Sequence, residues 1–300
     1  VWLRLKVDPE TARRVRETAL PGIYVTERPL RFYPHGKLAA HVLGFAGIDN
    51  QGLEGLEAYY DDVLKGTPGM LLRERDATGR SIPDGLERRI PPEDGLDIVL
   101  TIDQVVQYIA ERELERGVLE SQAEMGIFVA VDPKTGEVMA MANYPSYDPN
   151  RFADFPPDLW KNRAVTDQFE PGSTFKIITG VTALEVGAAT LASTYTDPVR
   201  LQRWGGVVNC WRAGGHGEQT FVEALENSCN PVFAILGADE IGPTRFHSYI
   251  RAFGFGDRLG IDFPGEGTGI VPRPTQRPSL QWANVGFGQG IAATPLQMAV

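Results

Sequence analysis

Apolar residues recur at every fourth position from Val106 through Ala110 and Leu114 to Val118, the spacing that keeps side chains on one face of an α-helix. Asp103 stands just ahead of that stripe as a cap, so a helix is predicted from there to about Glu120. The apolar run LDIVLTID (96–103) that leads into it is expected to be a strand. Further on, GIFVAVD and GEVMAMA flank Pro133-Lys134-Thr135, which predicts an antiparallel hairpin over 126–142. A proline-rich loop through Trp160 follows, then a helix from about Ser173 to Gly187 with Phe175, Ile178, Val181, Thr182 and Leu184 near one face. TFVEALEN (220–227) reads as a further helix, and another starts at Pro231, leaving a tight loop between the two. Strands first and helices after them predict an α+β fold, an antiparallel sheet covered by helices.

Before residue 95 the pattern is turn-rich. RFYPHGKLAAHVLGFAG (31–47) and GLEGLEAYYDDVLKGTPG (52–69) suggest short strands and one helix, Leu53 to Leu64, with Leu53, Leu56 and Tyr60 as core. SIPDGLERRIPPEDG (81–95) mixes Pro, Gly and charge without a period, which sets the expected boundary: a smaller α+β pedestal over 1–95, then a larger domain over 96–300. Three hundred residues with 42% hydrophobic content fit two domains. The apolar runs, such as IFVAV at 127–131, fall far short of the roughly 18 residues a membrane span needs. VWLRLKVDPE at the start has neither a signal-peptide layout nor an initiator Met, so any export or anchor segment is expected outside this chain.

The net charge of −10 is uneven: 1–95 carries 14 Lys and Arg against 15 Asp and Glu, whereas 96–300 carries 15 against 24. With no basic stripe and no basic amphipathic helix, nucleic-acid binding and peripheral membrane binding are not expected. Cys210 and Cys229 are too few for a disulfide framework and lack the paired spacing of a zinc site. His35, His41, His216 and His247 make no HExxH, so no metal and no cofactor are expected.

Chemistry is suggested by PGSTFKI (171–177). Pro171-Gly172 puts Ser173 in the first turn of its helix, and Lys176 at i+3 shares its face. A serine hydroxyl needs a base to become nucleophilic, and a lysine supplies one when burial, here beside Phe175 and Ile177, destabilises its ammonium. The helix start adds partial positive charge that disfavours the ammonium and can hold a developing oxyanion. Eight serines and six lysines in 300 residues give about 0.16 chance occurrences of Ser-x-x-Lys, so the triplet alone decides little. Ser228-Cys229-Asn230, on the tight loop between two helices, adds a second polar cluster, although taken alone it reads first as helix ends, Asn227 and Ser228 closing one helix and Asn230 opening the next.

Together the two motifs resemble the penicillin-binding proteins, whose third motif is Lys-Thr-Gly. Around them GIYVTERPLRFYPHGKLAAHVLGFAG, GLEGLE, TIDQ, AVDPKTGEVMAMANYPSYDPN, FEPGSTFK, GGHGEQTF, NSCNPVF, FGFG, TGI and GFGQGIAATPLQMA resemble class B members in the same order, over nearly the whole chain. The run CWRAGGHGEQTFVEALENSCNPVF is most similar to the division and sporulation type, the stage V sporulation protein D group. The resemblance implies a penicillin-sensitive peptidoglycan D,D-transpeptidase (or carboxypeptidase) with the penicillin-binding transpeptidase fold. It implies that Ser173 attacks a D-Ala-D-Ala carbonyl of a stem peptide and that Lys176 takes its proton. The Ser173 N–H would form half of an oxyanion hole, Ser228 would relay a proton to the leaving D-alanine, and Asn230 would hold the substrate amide. It also implies a membrane-tethered, extracytoplasmic protein that β-lactams trap and that works beside a SEDS-family glycosyltransferase and divisome proteins. A serine β-lactamase or penicillin sensor, and a non-catalytic division scaffold, are the rival readings.

Lys134-Thr135-Gly136, upstream of the nucleophile, reads as the hairpin turn and not as the third motif. That motif is expected past residue 300, so the chain as it stands is expected to be incomplete and poorly active. The glycines of GFGQG (286–290) read as a turn beside the pocket, and those of 205–217 as a flexible loop. Cys229 occupies the variable position of the Ser-x-Asn loop. Either Cys210 and Cys229 are two reduced thiols, or they form a redox pair whose bond would pull Ser228 and Asn230 out of place.

Overall fold

The computed structural model describes residues 2–74, 76, 77, 82 and 86–300, and in it the chain divides into two compact units. The first comprises Val1–Gly126, Ala140–Asn162 and Asp262–Pro264. It opens with α1 (Pro9–Thr18), whose cap Asp8 accepts the Thr11 N–H, then α2 (Ala40–Leu43) and a short ribbon of β1 (Phe45–Ala46) with β2 (Gly52–Glu54). The helix predicted over 53–64 is broken: residues 52–54 are the strand, and α3 (Gly55–Tyr59) and α4 (Asp61–Leu64) are separated at Tyr60. Gly55 shows why. It sits at φ +61°, and a Cβ there would lie 2.5 Å from the Gly44 nitrogen, so the helix can start only where the β-ribbon closes. Leu56 is core as expected, whereas Leu53 is 45% exposed.

Two further expectations are corrected. The segment 81–95 is not all irregular: β3 (Met70–Arg73) pairs antiparallel with β4 (Glu87–Ile90), although 81 and 83–85 lie outside the described residues. LDIVLTID forms no strand, and Val99 is almost fully exposed, because no neighbouring strand pairs with it among the described residues. The helix after it, α5 (Gln104–Ser121), is as the periodicity predicts, with Asp103 accepting the Val105 and Val106 N–H groups. Its buried Gln107 completes a strand edge, donating to the Met141 carbonyl and accepting the Met141 N–H. Tyr33, Ala40, Phe45 and Tyr147 form the centre of this unit, with Phe45 stacked on Phe152 at 4.1 Å between ring centroids.

The second unit comprises Ile127–Met139, Arg163–Ile261 and Gly265–Val300. The chain enters it through β5 (Gly126–Val131), and β6 (Val138–Tyr144), which from Ala140 belongs to the first unit again, follows a turn in which Asp132 accepts the Lys134 and Thr135 N–H groups. Lys134-Thr135-Gly136 lies on that exposed turn. After α6 (Arg163–Thr166) and a 3₁₀ turn over Gly172–Phe175 comes α7 (Lys176–Glu185). Two antiparallel ribbons follow: β7 (Thr194–Thr196) pairs with β10 (Glu218–Thr220), and β8 (Arg200–Arg203) with β9 (Gly206–Asn209), so part of the expected loop over 205–217 is strand. Then come α8 (Phe221–Glu226), α9 (Asn230–Ile235), a π-turn over 236–241, α10 (Pro243–Ala252), α11 (Leu280–Val285) and α12 (Pro295–Ala299). Phe175, Phe221, Phe233, Phe246 and Trp282 are buried together at the centre. The described strands form only two-stranded sheets.

Candidate active site

Ser173 is held in place from both sides by GFGQG. The Gly172 N–H donates to the Gly288 carbonyl at 2.9 Å, and the Gly290 N–H donates to the Glu170 carboxylate at 2.7 Å. Gly288 is at φ +80°, and a Cβ there would lie 2.0 Å from the Gly172 oxygen, so this approach requires glycine. Phe169 and Ala293 exchange backbone hydrogen bonds at 3.0 Å, which secures the approach to the 3₁₀ turn. The turn leads straight into α7, and buried Thr179 ties that helix to the Gly286 carbonyl at 2.8 Å. The first N–H groups of a helix have no intrahelical acceptor, so the Ser173 turn presents donors.

The second cluster arrives from α8 and α9. Thr220 caps α8 in a reciprocal capping box with Glu223, and Pro231 in the first turn of α9 prevents α8 from running on. Between the helices Ser228 takes a left-handed backbone, φ +53°, which turns its side chain out toward Lys176. Asn230 opens α9 and also faces Lys176. Both readings of this loop therefore hold: its residues are helix ends, and they belong to the cluster.

Lys176 is the centre, 1% exposed. Its Nζ lies 3.1 Å from Ser173 Oγ, 2.8 Å from Ser228 Oγ, 2.7 Å from the Ser228 carbonyl and 2.7 Å from Asn230 Oδ1. Ser228 Oγ in turn lies 3.0 Å from Ser173 Oγ. Four acceptors face a group that as an ammonium has three N–H bonds. A neutral amine fits the geometry differently. The Ser228 carbonyl and Asn230 Oδ1 can only accept, so they take its two N–H bonds, and its lone pair is left facing the two hydroxyls. Burial pushes Lys176 down to about 8, within reach of that neutral form near physiological pH. The apolar wall beside the amine is Phe233, its ring centroid 5.7 Å from Nζ; Phe175 is buried against Phe246 and Phe255, and Ile177, expected to share the task, is 60% exposed. Val181 and Leu184, placed by periodicity on the core face, are likewise exposed, while Thr179, Gly180, Thr182 and Ala183 are buried. This arrangement can transfer a proton from Ser173 to Lys176 and carry one onward through Ser228, which is the requirement for acyl transfer by a serine.

The chain matches the penicillin-binding protein transpeptidase domain over residues 126–300 and the penicillin-binding protein dimerisation domain over 1–100. The chain belongs to the class B penicillin-binding proteins. It is 44% identical to stage V sporulation protein D of Bacillus subtilis (strain 168), covering 97% of this chain and 45% of that protein. It is 35% identical to the peptidoglycan D,D-transpeptidase FtsI of Escherichia coli (strain K12), covering 100% and 50%. Among solved structures, penicillin binding protein 3 of Mycobacterium tuberculosis complexed with ampicillin matches at 33% identity with a TM-score of 0.78, over 90% of this chain and 56% of that one. The fold is thus the α+β penicillin-binding transpeptidase fold preceded by a dimerisation-type domain, and the chain spans about half the length of the curated relatives it matches.

Asp197 and His216 join the cysteine pair that the sequence singles out, though nothing local marks them as its neighbours. Cys210 and Cys229, both free thiols, come together with Asp197 and His216, their ligand atoms all within 4.8 Å of one another. The intervals of 13, 6 and 13 residues match no metal motif, and the ribbons that close them are three or four residues long, too short to read from alternation.

Proposed function

We propose that the protein is a peptidoglycan D,D-transpeptidase acting through a Ser173 acyl-enzyme. The reading is carried by one observation: a buried lysine nitrogen within 3.1 Å of one serine oxygen and 2.8 Å of another, with two acceptor-only groups occupying its other positions. Neutral Lys176 takes the Ser173 proton as Oγ attacks the carbonyl of the penultimate D-alanine in a stem peptide. The Ser173 N–H stabilises the oxyanion in the turn where its helix begins. Ser228, hydrogen-bonded to both Lys176 and Ser173, passes a proton to the leaving D-alanine nitrogen. Asn230 spends its oxygen on Lys176, which leaves its amide N–H groups for the substrate. An amine from a neighbouring stem peptide then attacks the acyl carbonyl and forms the cross-link; water in its place gives carboxypeptidase action. A β-lactam offers the same acyl group and remains on Ser173.

This proposal extends to an extracytoplasmic place on the cell membrane and to work beside a SEDS-family glycosyltransferase and other division proteins, with the dimerisation-type domain as the contact. No helix among the described residues is long and apolar enough to cross a membrane. The test uses the full-length protein, a donor peptide ending in D-Ala-D-Ala and an amine acceptor. Peptide-linked product together with released D-alanine supports the reading; a protein that releases penicillin rapidly and leaves the peptide untouched is a hydrolase and contradicts it.

A further inference from the structure

The Asp197, Cys210, His216 and Cys229 cluster has a geometry that the acyl-transfer chemistry does not use. Asp197 follows β7, Cys210 ends the β8–β9 ribbon, His216 precedes β10, and Cys229 stands between Ser228 and Asn230. The two antiparallel ribbons bring the first three into one pocket, and the α8–α9 turn brings the fourth. His216 Nδ1 is 3.4 Å from Cys210 Sγ and 3.1 Å from Asp197 Oδ2. In a tetrahedral zinc site, with zinc–sulfur bonds of about 2.3 Å and zinc–nitrogen or zinc–oxygen bonds of about 2.0–2.1 Å, ligand atoms stand about 3.3–3.8 Å apart. Two edges of the cluster already approach that size, and the widest pair must close by about an ångström, which a side-chain rotation supplies.

The site is also built for an occupant. The side chains of His216 and Asp197 are 2% and 0% exposed, and Cys229 is fully buried. Asp197 is oriented by the N–H groups of Val199 and His216, both at 2.9 Å, which leaves Oδ2 directed at the cluster. Gln219, 4% exposed, has a buried amide nitrogen without a hydrogen-bond partner, and that amide faces Cys229. A neutral thiol is a weak acceptor for it; a metal-bound thiolate is a good one, and metal ligands are commonly held by such outer hydrogen bonds.

We propose that Asp197, Cys210, His216 and Cys229 bind one zinc ion. Two sulfurs, one nitrogen and one carboxylate oxygen in a tetrahedron favour zinc over harder cations. Four protein ligands leave no open position, so the ion is structural. Binding displaces the two thiol protons and leaves the imidazole neutral, with Nδ1 on the metal. Its effect is to fasten the 197–216 loops to the one residue flanked on both sides by members of the catalytic cluster, and so to hold the left-handed Ser228 in place. Oxidation is a competing fate, because a Cys210–Cys229 disulfide would consume both sulfur ligands.

The test is the metal content of the full-length protein, isolated without chelators and measured by inductively coupled plasma mass spectrometry, alongside the visible spectrum after cobalt replaces zinc. The proposal expects about one zinc per chain, intense cobalt bands of a tetrahedral thiolate site, and less than a tenth of the zinc in Cys210→Ser and His216→Ala. Cys210 is only half-buried, so Cys210→Ser is the variant that tests ligation with least disturbance to the core. Wild-type protein with only trace zinc after incubation with micromolar zinc chloride, or isolated with Cys210 and Cys229 joined, overturns it. So does full zinc retention in both variants. Metal content is read without any acylation, so this inference stands or falls separately from the transpeptidase reading.

Discussion

At the scale of single residues, Lys176 is the side chain whose environment and chemistry are least separable. Its burial would be costly for a lone ammonium, and four oxygens are gathered round it within 3.1 Å. Replacing it by an apolar residue of similar length, Lys176→Met, removes the base and leaves two half-buried acceptors unmatched. Acylation of Ser173 by penicillin is expected to fall by about 10²–10⁴-fold, and stability by about 1–3 kcal/mol. Stopped-flow labelling and denaturant unfolding measure the two separately; a variant that loses stability but labels at the wild-type rate would remove Lys176 from the mechanism. Ser173 and Lys176 were legible because a three-residue interval on a helix start fixes a shared face whatever surrounds it. The wall around them was not, since Ile177 is adjacent in sequence but exposed, whereas Phe233 comes from 57 positions later. His216 was hidden too: Cys210 lies six residues before it and Cys229 13 residues after it, and no local pattern marks either thiol as its neighbour.

At the scale of elements, the site depends on two short junctions. The Thr220 capping box starts α8 and so fixes where that helix stops and Ser228 turns. Thr220→Ala is expected to cost about 1 kcal/mol, read as a lower thermal midpoint. The other junction is Gly172 against Gly288. Gly288→Ala puts a Cβ 2.0 Å from a carbonyl oxygen at a left-handed backbone position, so the turn carrying Ser173 must move. Penicillin labelling is expected to drop at least about tenfold even in folded protein, because a nucleophile displaced by an ångström loses about two orders of magnitude. Wild-type labelling in a folded Gly288→Ala variant would show that GFGQG does not position the serine. Sequence reading placed α5, α8 and α9 well because each has a cap or a proline at its start. It failed for 96–102, where an apolar run is strand-like only if a partner strand lies beside it, and for 53–64, where backbone closure at Gly55 overrides helical spacing.

At the scale of the whole molecule, family membership was legible because the motifs occur in order along nearly the entire chain. The fold class could be stated without locating every strand. The irregular segments of the first unit resisted periodicity because its core is an aromatic cluster assembled from turns, with Tyr147 and Phe152 more than 100 residues from Tyr33 and Phe45. Net charge also acts at this scale. At −10, with the acidity concentrated after residue 95, the protein is expected to show no retardation of duplex DNA in a mobility-shift assay at about 0.15 M salt. A salt-sensitive shifted band would contradict that reading of the surface.

The central claim is that an uncharged Lys176 activates Ser173, and the rate of Ser173 acylation by penicillin as a function of pH tests it most directly. A lysine whose pKa is lowered from 10.5 to about 8 gives up its proton earlier in the folded protein, so the active neutral fraction grows with rising pH. From pH 7 to pH 9 that fraction rises about tenfold for a midpoint near 8, and the acylation rate, with the label mapped to Ser173 by mass spectrometry, should rise with it and then level off. A rate that is flat or falling across this range, or a label mapped to another residue, would contradict the account.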